Sequence, residues 1–439
     1  MTSSLRRAAA FALVATLSLL SPLLDAATAV PFAAVAVVAL VVTDGPVFEL
    51  FARPIDRREG RLRGLAGFSI AATALALMVT LLDMPGQVFV ASVLLLAYGN
   101  LAQQVVRRRW PGAFASTIAF TAGGFLAAFV GQFVVLSLAN ASAQPSDVGF
   151  LAASGALLAA LLRSVLYGRD DPLVLFSVAM LLWLLEGLAV SVSPLDVFGA
   201  LFVTAVFGYL SWALDTASIP GMLTGILLGL LTIVLGGYGW FTVLIVFFGV
   251  GGLATQFRYG EKQARGVAEE NDGARGSGNV LGNATVALVA VLAFAASPKL
   301  QVGSEVFLYA FVGSIATALS DTLSSEIGGV FDDPRLITTM QRVDPGTDGG
   351  VTWQGEVAGL GGAILIALLA LFLFGEVGLP GAVVVVAAGV GGMTADSLFG
   401  ATIEGSYVGN QGVNFLATLT GALIGGGLAV LVGLGALTP

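Results

Sequence analysis

The stretch SDTLSSEIGGVFDDPRLITTMQRVDPGTDGGVTWQGE, residues 320–356, is a polar interval in a largely apolar chain. Carboxylates, hydroxyls and glycines recur through it, and this combination suits a hard cation and phosphate oxygens. A solvated loop between two membrane helices is the simpler interpretation, and the rest of the sequence has to decide between the two. The charged residues of the stretch are Asp321, Glu326, Asp332, Asp333, Asp344, Asp348 and Glu356, with Arg335 and Arg342 among them.

The composition around this stretch excludes a soluble globule. Of the 439 residues, 57% are hydrophobic and 10% are charged, and the mean hydropathy is +0.95. A soluble domain is about a quarter charged, so this chain lacks the polar surface that water requires. Apolar runs long enough to cross a bilayer recur along the sequence. We therefore predict an all-α, polytopic integral membrane protein with about 13–15 transmembrane helices, located in the cell membrane.

The basic residues predict how these helices are oriented. Arg6 and Arg7 precede the first apolar run, which we interpret as an uncleaved first helix. With the spans counted from there, only Lys299 of the 19 basic residues lies in a loop of the opposite side. Positive loops face the cytoplasm, so we predict a cytoplasmic amino terminus and expect binding or chemistry on that side. Three polar stretches share it: residues 258–283, 320–356 and 396–414.

Glycine is more frequent in the second half of the chain than in the first. Small residues let transmembrane helices pack closely, so this half is expected to be the more tightly packed one. We therefore divide the sequence near residue 195. Residues 1–195 are predicted to form an accessory transmembrane helical bundle, and residues 196–439 the functional domain.

The absence of two residue types limits the chemistry. The chain has no cysteine and no histidine, which excludes disulfides, thiol nucleophiles, Cys/His zinc sites and histidine acid–base catalysis. Any catalysis must use carboxylates, Lys, Arg, hydroxyls and a bound metal. The net charge of −8 also provides no strongly basic face for nucleic acid.

Two carboxylates near predicted helix ends are candidates for binding a metal. Asp321 shares a helical face with Ser325, and Asp396 lies inside an apolar run. A carboxylate at the membrane boundary is costly to desolvate, so it needs an Arg partner or a cation such as Mg²⁺. Glu326 points elsewhere unless the helix has already unwound. Glu186, in the first half, is interpreted as a structural hydrogen-bonding residue.

The other polar residues offer groups that suit phosphate. Pro345–Gly346 forces a turn, and Gly349–Gly350 allows backbone amides to converge as they do in phosphate-binding nests. This is not a Walker motif, and a plain turn is the alternative interpretation. Asn279 and Asn283 lie on one helical face, where amides join helices as readily as they bind ligands. The nearby cationic side chains are Lys262, Arg265 and Arg275.

At these residues the chain resembles the transmembrane protein 19 / phytyl-phosphate kinase family, also known as domain-of-unknown-function family 92. The resemblance covers roughly residues 200 to 439, where the motifs follow the family's order. The family is distantly similar to dolichol and phytol kinases and to lipid cytidylyltransferases. The matching segments are KQARGVAEENDGARGSGNVLGN (262–283), SDTLSSEIG (320–328), PRLITT (334–339), DPGTDGGVTWQGEVAGLGG (344–362), ADSLFGATIEG (395–405) and NQGVNFL (410–416).

The resemblance implies that residues 196–439 form a phytyl-phosphate-kinase-like domain. Such a domain transfers a phosphoryl group from CTP, or another nucleoside triphosphate, to an isoprenoid lipid phosphate, with Mg²⁺ as cofactor. The implied magnesium ligands and catalytic residues are Asp321, Glu326 and Asp396. The implied nucleotide- and phosphate-binding residues are Lys262, Arg275, Asn279, Asn283, Arg342, Gly346, Thr347, Gly349, Gly350 and Asn414.

Two other functions remain open. A lipid cytidylyltransferase would use the same metal and nucleotide groups but would release diphosphate. A secondary transporter is favoured by the many spans and the acids near membrane depth, but it needs a site open to both sides. The three polar stretches instead lie on one predicted face. The nucleotide, the lipid chain length and the oligomeric state are left open.

Overall fold

Helices form almost every element of the computed structural model, which describes residues 3–142, 144–166, 171–190, 192–268 and 276–436. Lipid offers the backbone no hydrogen-bond partners, whereas a helix satisfies its own N–H and C=O groups. The chain divides into two compact units, Met1–Gly199 and Ala200–Pro439. The functional roles predicted for the two halves stay predictions.

The first unit is built from a series of helices joined by short loops. In its described part they are α1 (Ser3–Ala15), α2 (Ser21–Leu24), α3 (Val30–Val41), α4 (Gly45–Phe51), α5 (Pro54–Glu59), α6 (Arg63–Leu81), α7 (Gly86–Val106), α8 (Ala113–Leu138), α9 (Pro145–Val165) and α10 (Asp171–Leu188). Glu186 on α10 accepts a hydrogen bond of 3.0 Å from the Gln87 amide on α7, so it is a hydrogen-bonding residue as predicted.

The second unit contains the polar stretches. Helix α11 (Pro194–Ala213) runs into it and is followed by α12 (Ile219–Gly236), α13 (Tyr238–Gln256), α14 (Tyr259–Arg265), α15 (Ser277–Leu300), α16 (Ser304–Gly328), α17 (Trp353–Leu373), α18 (Leu379–Thr402) and α19 (Asn410–Leu431).

The helices confirm the predicted membrane class. Within the described residues, 14 helical segments are long and apolar enough to cross a membrane, and α3 with α4 would make a fifteenth. These two helices are bent by 105° at a break where Gly45, the first residue of α4, has a φ of 83° and Pro46 follows it in the first turn. The chain is therefore an all-α polytopic membrane protein. The cytoplasmic position of its amino terminus stays a prediction.

Helix α16 is central to the second unit, since α13, α15, α17, α18 and α19 all pack against it. Its Thr317 shows how close the packing is. A Cβ added at Gly392 of α18 would lie 2.1 Å from the Thr317 Oγ1, and one at Gly421 of α19 would lie 1.9 Å from it. Only glycine permits these approaches, and the Thr317 hydroxyl is satisfied by donating to the Ala388 carbonyl at 3.1 Å.

The loop between α16 and α17 folds back on itself. Two short strands, β1 (Arg335–Leu336) and β2 (Gly350–Val351), pair antiparallel, with Arg335 opposite Val351 and Leu336 opposite Gly350. After β2, the Thr352 hydroxyl accepts a hydrogen bond of 3.2 Å from the Gly355 amide and caps α17. The polar stretch is thus an ordered loop with a fixed exit into the next helix.

Candidate functional site

A polar cavity of about 570 Å³ lies at the end of the second unit where α16 and α18 finish and α17 and α19 begin. This is a usual size for a small-molecule site, which is roughly 300–1,000 Å³. Segments far apart in the sequence build its walls: the residues after α14, the end of α16, the following loop, and the α18–α19 junction. The polar side chains in these walls are Asp321, Ser324, Ser325, Thr347, Asp348, Thr352, Asp396, Ser397, Glu404 and Asn410.

Helix packing explains why Asp321 and Asp396 meet in this cavity. Helices α16 and α18 touch at Thr317 and Gly392, and both run toward the cavity. One helical turn beyond these contacts are Asp321 on α16 and Asp396 on α18, so the close approach of the helices also brings the two acids together.

The carboxyl groups of Asp321 and Asp396 lie close enough to interact electrostatically with each other. The Oδ1 atom of Asp396 is buried and has no hydrogen-bond partner among the described residues. Two carboxylates this close repel each other unless a proton or a cation neutralises them. The pair therefore provides oxygen ligands that need a positive charge.

Glu404 extends this acidic wall beyond the end of α18. Burial raises the pKa of Glu404, the carboxylates of Asp348 and Asp396 raise it further, and a hydrogen bond with Asn410 lowers it. Asp348 and Glu404 were absent from the predicted site. Their signals were present in the sequence, because Asp348 lies between two predicted loop residues and Glu404 lies eight residues after Asp396.

The glycine loop, residues 346–350, lines the cavity, although its amides are not all available to a ligand. Gly346, Thr347, Gly349 and Gly350 are wall residues. The Thr347 amide donates to the Asp344 carbonyl at 3.2 Å, and the Gly350 amide donates to the Thr347 carbonyl at 2.8 Å. The turn itself therefore uses these two amides.

Gly349 fixes the loop against α18. Its φ is +74°, and an added Cβ would lie 2.5 Å from the Cβ of Ala401 and 2.6 Å from the Ser397 carbonyl oxygen. A left-handed conformation and a close approach both require glycine here. This contact holds the loop beside the end of the helix that carries Asp396.

The predicted cationic side chains lie elsewhere. No Lys or Arg lines this cavity within the described part of the chain. Arg265 pairs with Asp332 at 2.9 Å, and Arg342 pairs with Asp333 at 3.3 Å in an exposed position. Arg275 lies outside the described residues. Arg342, which the sequence predicted to bind phosphate, therefore lies on the loop surface in this structure, outside the cavity lining.

Lys262 and Glu326 form a buried ion pair with each other. The Lys262 side chain is 1% exposed and that of Glu326 is 11% exposed. Neither residue lines the cavity. Glu326 is five residues after Asp321, about 140° around an unbroken helix, and α16 stays helical to Gly328. The structure therefore does not bring Glu326 together with Asp321 and Asp396 in the cavity lining, and it places Lys262 in an ion pair away from the cavity wall.

The predicted asparagines make hydrogen bonds within their own helices, α15 and α19, and do not line the cavity. The Asn283 amide donates to the Asn279 carbonyl at 3.1 Å, and the Asn414 amide donates to the Asn410 side chain at 3.4 Å. A Cβ at Gly278 of α15 would lie 2.5 Å from the Gln411 side chain of α19. This approach shows that α15 and α19 pack closely beside the asparagines, whose own hydrogen bonds each stay within one helix.

The acids that line the cavity fit a magnesium ion that is bound to the phosphates of a ligand. Within the described residues, no group of three or more Asp, Glu, His or Cys is arranged to hold a metal alone. Mg²⁺ usually takes one or two carboxylates and completes its shell with water and phosphate oxygens. Asp321 and Asp396, with the unpartnered Oδ1 of Asp396, provide such a pair.

The fold and this cavity define a polytopic membrane protein with an acid-lined site at one end of its second helical unit. The model of the family "Integral membrane protein DUF92" matches residues 202–422. The chain belongs to this family, and the resemblance noted in the sequence is confirmed.

Similar proteins come from distant organisms. An uncharacterized membrane protein of Methanocaldococcus jannaschii is 35% identical over 208 residues, which cover 47% of this chain and 82% of that protein. An uncharacterized membrane protein of Synechocystis sp. is 35% identical over 202 residues, covering 44% and 75%. Protein VTE6, chloroplastic, of Arabidopsis thaliana is 31% identical over 212 residues, covering 47% and 63%. No solved structure matches the chain.

Proposed function

We propose that this protein is a membrane-embedded isoprenyl-phosphate kinase. It transfers a phosphoryl group from CTP, or another nucleoside triphosphate, to a lipid monophosphate of the phytyl or geranylgeranyl type at the cytoplasmic face. The observation that carries the proposal is the pair Asp321 and Asp396 at the edge of a cavity bounded by a glycine loop. Similarity to protein VTE6 and the family resemblance support the lipid phosphate as substrate.

The charge of the cavity favours a polyphosphate that brings its own cation. Four carboxylates line the cavity, from Asp321, Asp348, Asp396 and Glu404, and no described Lys or Arg balances them. A free triphosphate would be repelled by these carboxylates. A magnesium–nucleotide complex suits them, because Asp321 and Asp396 would supply oxygen ligands to the ion.

The proposed chemistry needs little from the protein beyond positioning. An oxygen of the lipid phosphate forms a bond to the γ-phosphorus while the bond to the β,γ-bridging oxygen breaks, and the nucleoside diphosphate leaves. The acceptor is already ionised, so the absence of histidine is no obstacle. When bound, Mg²⁺ neutralises charge on the transferring phosphoryl group. Asp321 and Asp396 would hold the ion and through it position the phosphates, and Gly349 holds the loop beside them.

The depth of the acids suits a lipid headgroup and disfavours a transport pathway. Asp321 precedes the end of α16 at Gly328 by about two turns, and Asp396 precedes the end of α18 at Thr402 by less than two. The pair therefore lies roughly 10 Å from the helix ends, within reach of a phosphate at the membrane surface. A transporter site is expected near the midplane, between half-helices.

Purified protein reconstituted with phytyl or geranylgeranyl phosphate, Mg²⁺ and γ-labelled CTP tests the proposal. We expect label in the lipid diphosphate, with loss of transfer in Asp321→Asn and in Asp396→Asn. The matched control is Asp333→Asn, an exposed acid of the loop between α16 and α17 that lies outside the cavity. Folded protein that transfers no label from any of the four ribonucleoside triphosphates would reject a kinase. Cytidine on the lipid would instead identify a cytidylyltransferase.

A further inference from the structure

Helix α14 carries a buried lysine whose donors are all used inside the protein. The Lys262 ammonium donates to the Ala254 carbonyl at 3.2 Å, to the Thr255 carbonyl at 2.6 Å and to the Glu326 carboxylate. An ammonium group has three N–H donors, so none remains for a phosphate. Lys262 thus ties the carboxyl end of α13 to the last turns of α16.

A second contact fixes the carboxyl end of α14. The Arg265 guanidinium donates to the Phe331 carbonyl at 3.2 Å and pairs with Asp332 at 2.9 Å. The Val267 amide then donates to the Lys262 carbonyl at 3.0 Å. The seven-residue helix is therefore held to α16 through Lys262 and to the following loop through Arg265.

The chain leaves α14 directly into the cavity wall, at Gly266, Val267 and Ala268. The Val267 side chain contacts the glycine loop: a methyl group lies 2.9 Å from where a Cβ of Gly346 would be. Its other methyl group lies 3.6 Å from the corresponding position at Gly329. The position of this wall therefore depends on where α14 is fixed.

We infer that Lys262 and Glu326 are positioning residues. Their buried ion pair holds α14 on α16, and through Val267 it sets the distance between the wall at residues 266–268 and the glycine loop. The inference rests on the proposed function for the identity of the ligand, a magnesium–nucleotide complex. Both residues determine the shape of the cavity, and neither coordinates metal or phosphate.

The physics of buried ion pairs supplies a test by substitution. Removing one partner leaves the other charge buried without compensation and is strongly destabilising, whereas replacing both by apolar side chains is often tolerated. Lys262→Met should therefore lower the stability of the second unit. The double variant Lys262→Met, Glu326→Met should restore that stability. Glu326→Gln keeps a hydrogen-bond acceptor for Lys262 and should cause a smaller change.

The experiment uses the full chain in detergent, with thermal unfolding and a spin-label distance as readouts. The chain has no cysteine, so Ala268→Cys with Thr347→Cys provides one label pair across the cavity wall and the loop. Lys262→Met should lower the melting temperature by about 10 °C and broaden the label distance, and the double variant should restore both. Glu261→Gln is the control, because it breaks only the exposed Arg258–Glu261 pair of the same helix.

Binding of Mn²⁺ separates positioning from coordination. Glu326→Gln should keep the Mn²⁺ affinity within about threefold of the unsubstituted chain, whereas Asp321→Asn should lose binding. Equal loss in both variants would overturn the inference by making Glu326 a ligand, as would an unchanged label distance in Lys262→Met. If the unsubstituted chain binds no Mn²⁺, the proposed function fails, while unfolding and label distance still decide the role of the ion pair.

Discussion

The buried carboxylates of the second unit differ in how far the protein has already neutralised their charge. Glu326 has a buried ammonium partner, whereas Asp396 retains an oxygen without a hydrogen bond among the described residues. An unpartnered buried carboxylate oxygen is costly, because it has lost water without gaining another donor. A ligand with positive charge therefore binds more favourably beside Asp396 than beside Glu326.

Glu404 gives a pH-dependent prediction. Burial and the neighbouring Asp348 and Asp396 raise the pKa of Glu404 above its ordinary 4.5, so folding disfavours its charged form. This destabilisation is absent below the ordinary pKa and is complete above the raised one. Without divalent cations, Glu404→Gln should raise the melting temperature at about pH 8 and leave it nearly unchanged at about pH 4.

Thermal unfolding in EDTA at the two pH values measures this difference. Glu261→Gln, at an exposed carboxylate, is the control and should change neither value. Stabilisation by Glu404→Gln that is equal at both pH values would contradict a raised pKa as its cause.

At the scale of elements, the sequence showed which polar residues are unusual for a membrane helix. It did not show which residues they contact in the fold. An acid inside an apolar run, such as Asp396, stands out in the sequence because burying a charged side chain in the membrane costs free energy. The Lys262–Glu326 pair joins residues 64 positions apart, and it exists only because α14 folds back onto α16. Helical periodicity already placed Glu326 away from Asp321, and the structure follows that periodicity.

The glycine contacts of α16 predict that one added methyl group disrupts the unit. A Cβ at Gly421 of α19 meets the Thr317 hydroxyl, whereas the same group at Gly427 meets nothing within 4 Å. Overpacking of this kind costs about 1–3 kcal/mol, so Gly421→Ala should lower the melting temperature. Gly427→Ala, on the same helix, should leave it unchanged or slightly raised. Equal effects of the two changes would contradict the close packing.

A groove between α11, α12 and α13 offers a place for an isoprenoid tail. It has a volume of about 120 Å³, is lined by apolar side chains such as Phe207 and Phe248, and is open at Gly225 and Gly252. We propose that part of the lipid chain lies here, because burying each CH₂ group contributes about 0.8 kcal/mol.

Filling the groove tests this proposal. Gly252→Leu should raise the KM for geranylgeranyl phosphate by about tenfold and leave the KM for a short prenyl phosphate unchanged. Gly249→Leu is the control on the same helix, since Gly249 is exposed and outside the groove. A similar KM for the long lipid in both variants would place the tail elsewhere.

At the scale of the whole molecule, composition alone was enough for the membrane class, because 10% charge cannot cover a soluble surface. The family match lies within the second unit, and residues before 202 lie outside it. Helix periodicity located the apolar spans, but contacts such as Thr317 with Gly392 depend on tertiary packing that no local pattern encodes.

Orientation is a prediction for the whole chain. The basic loops place the glycine loop in the cytoplasm and the α17–α18 connection outside. In cells carrying single cysteines, a membrane-impermeant maleimide should label Glu376→Cys directly and Thr347→Cys only after permeabilisation. The reverse pattern would contradict the predicted topology.

The proposed function requires that Asp321 and Asp396 together hold a divalent cation. Titration of the purified full chain with Mn²⁺, followed by electron paramagnetic resonance, measures this directly. We predict about one bound Mn²⁺ per chain, at least about tenfold weaker in Asp321→Asn and in Asp396→Asn but unchanged in Asp333→Asn. Binding that is unaffected by loss of either carboxylate, or no binding by the folded chain, would contradict it.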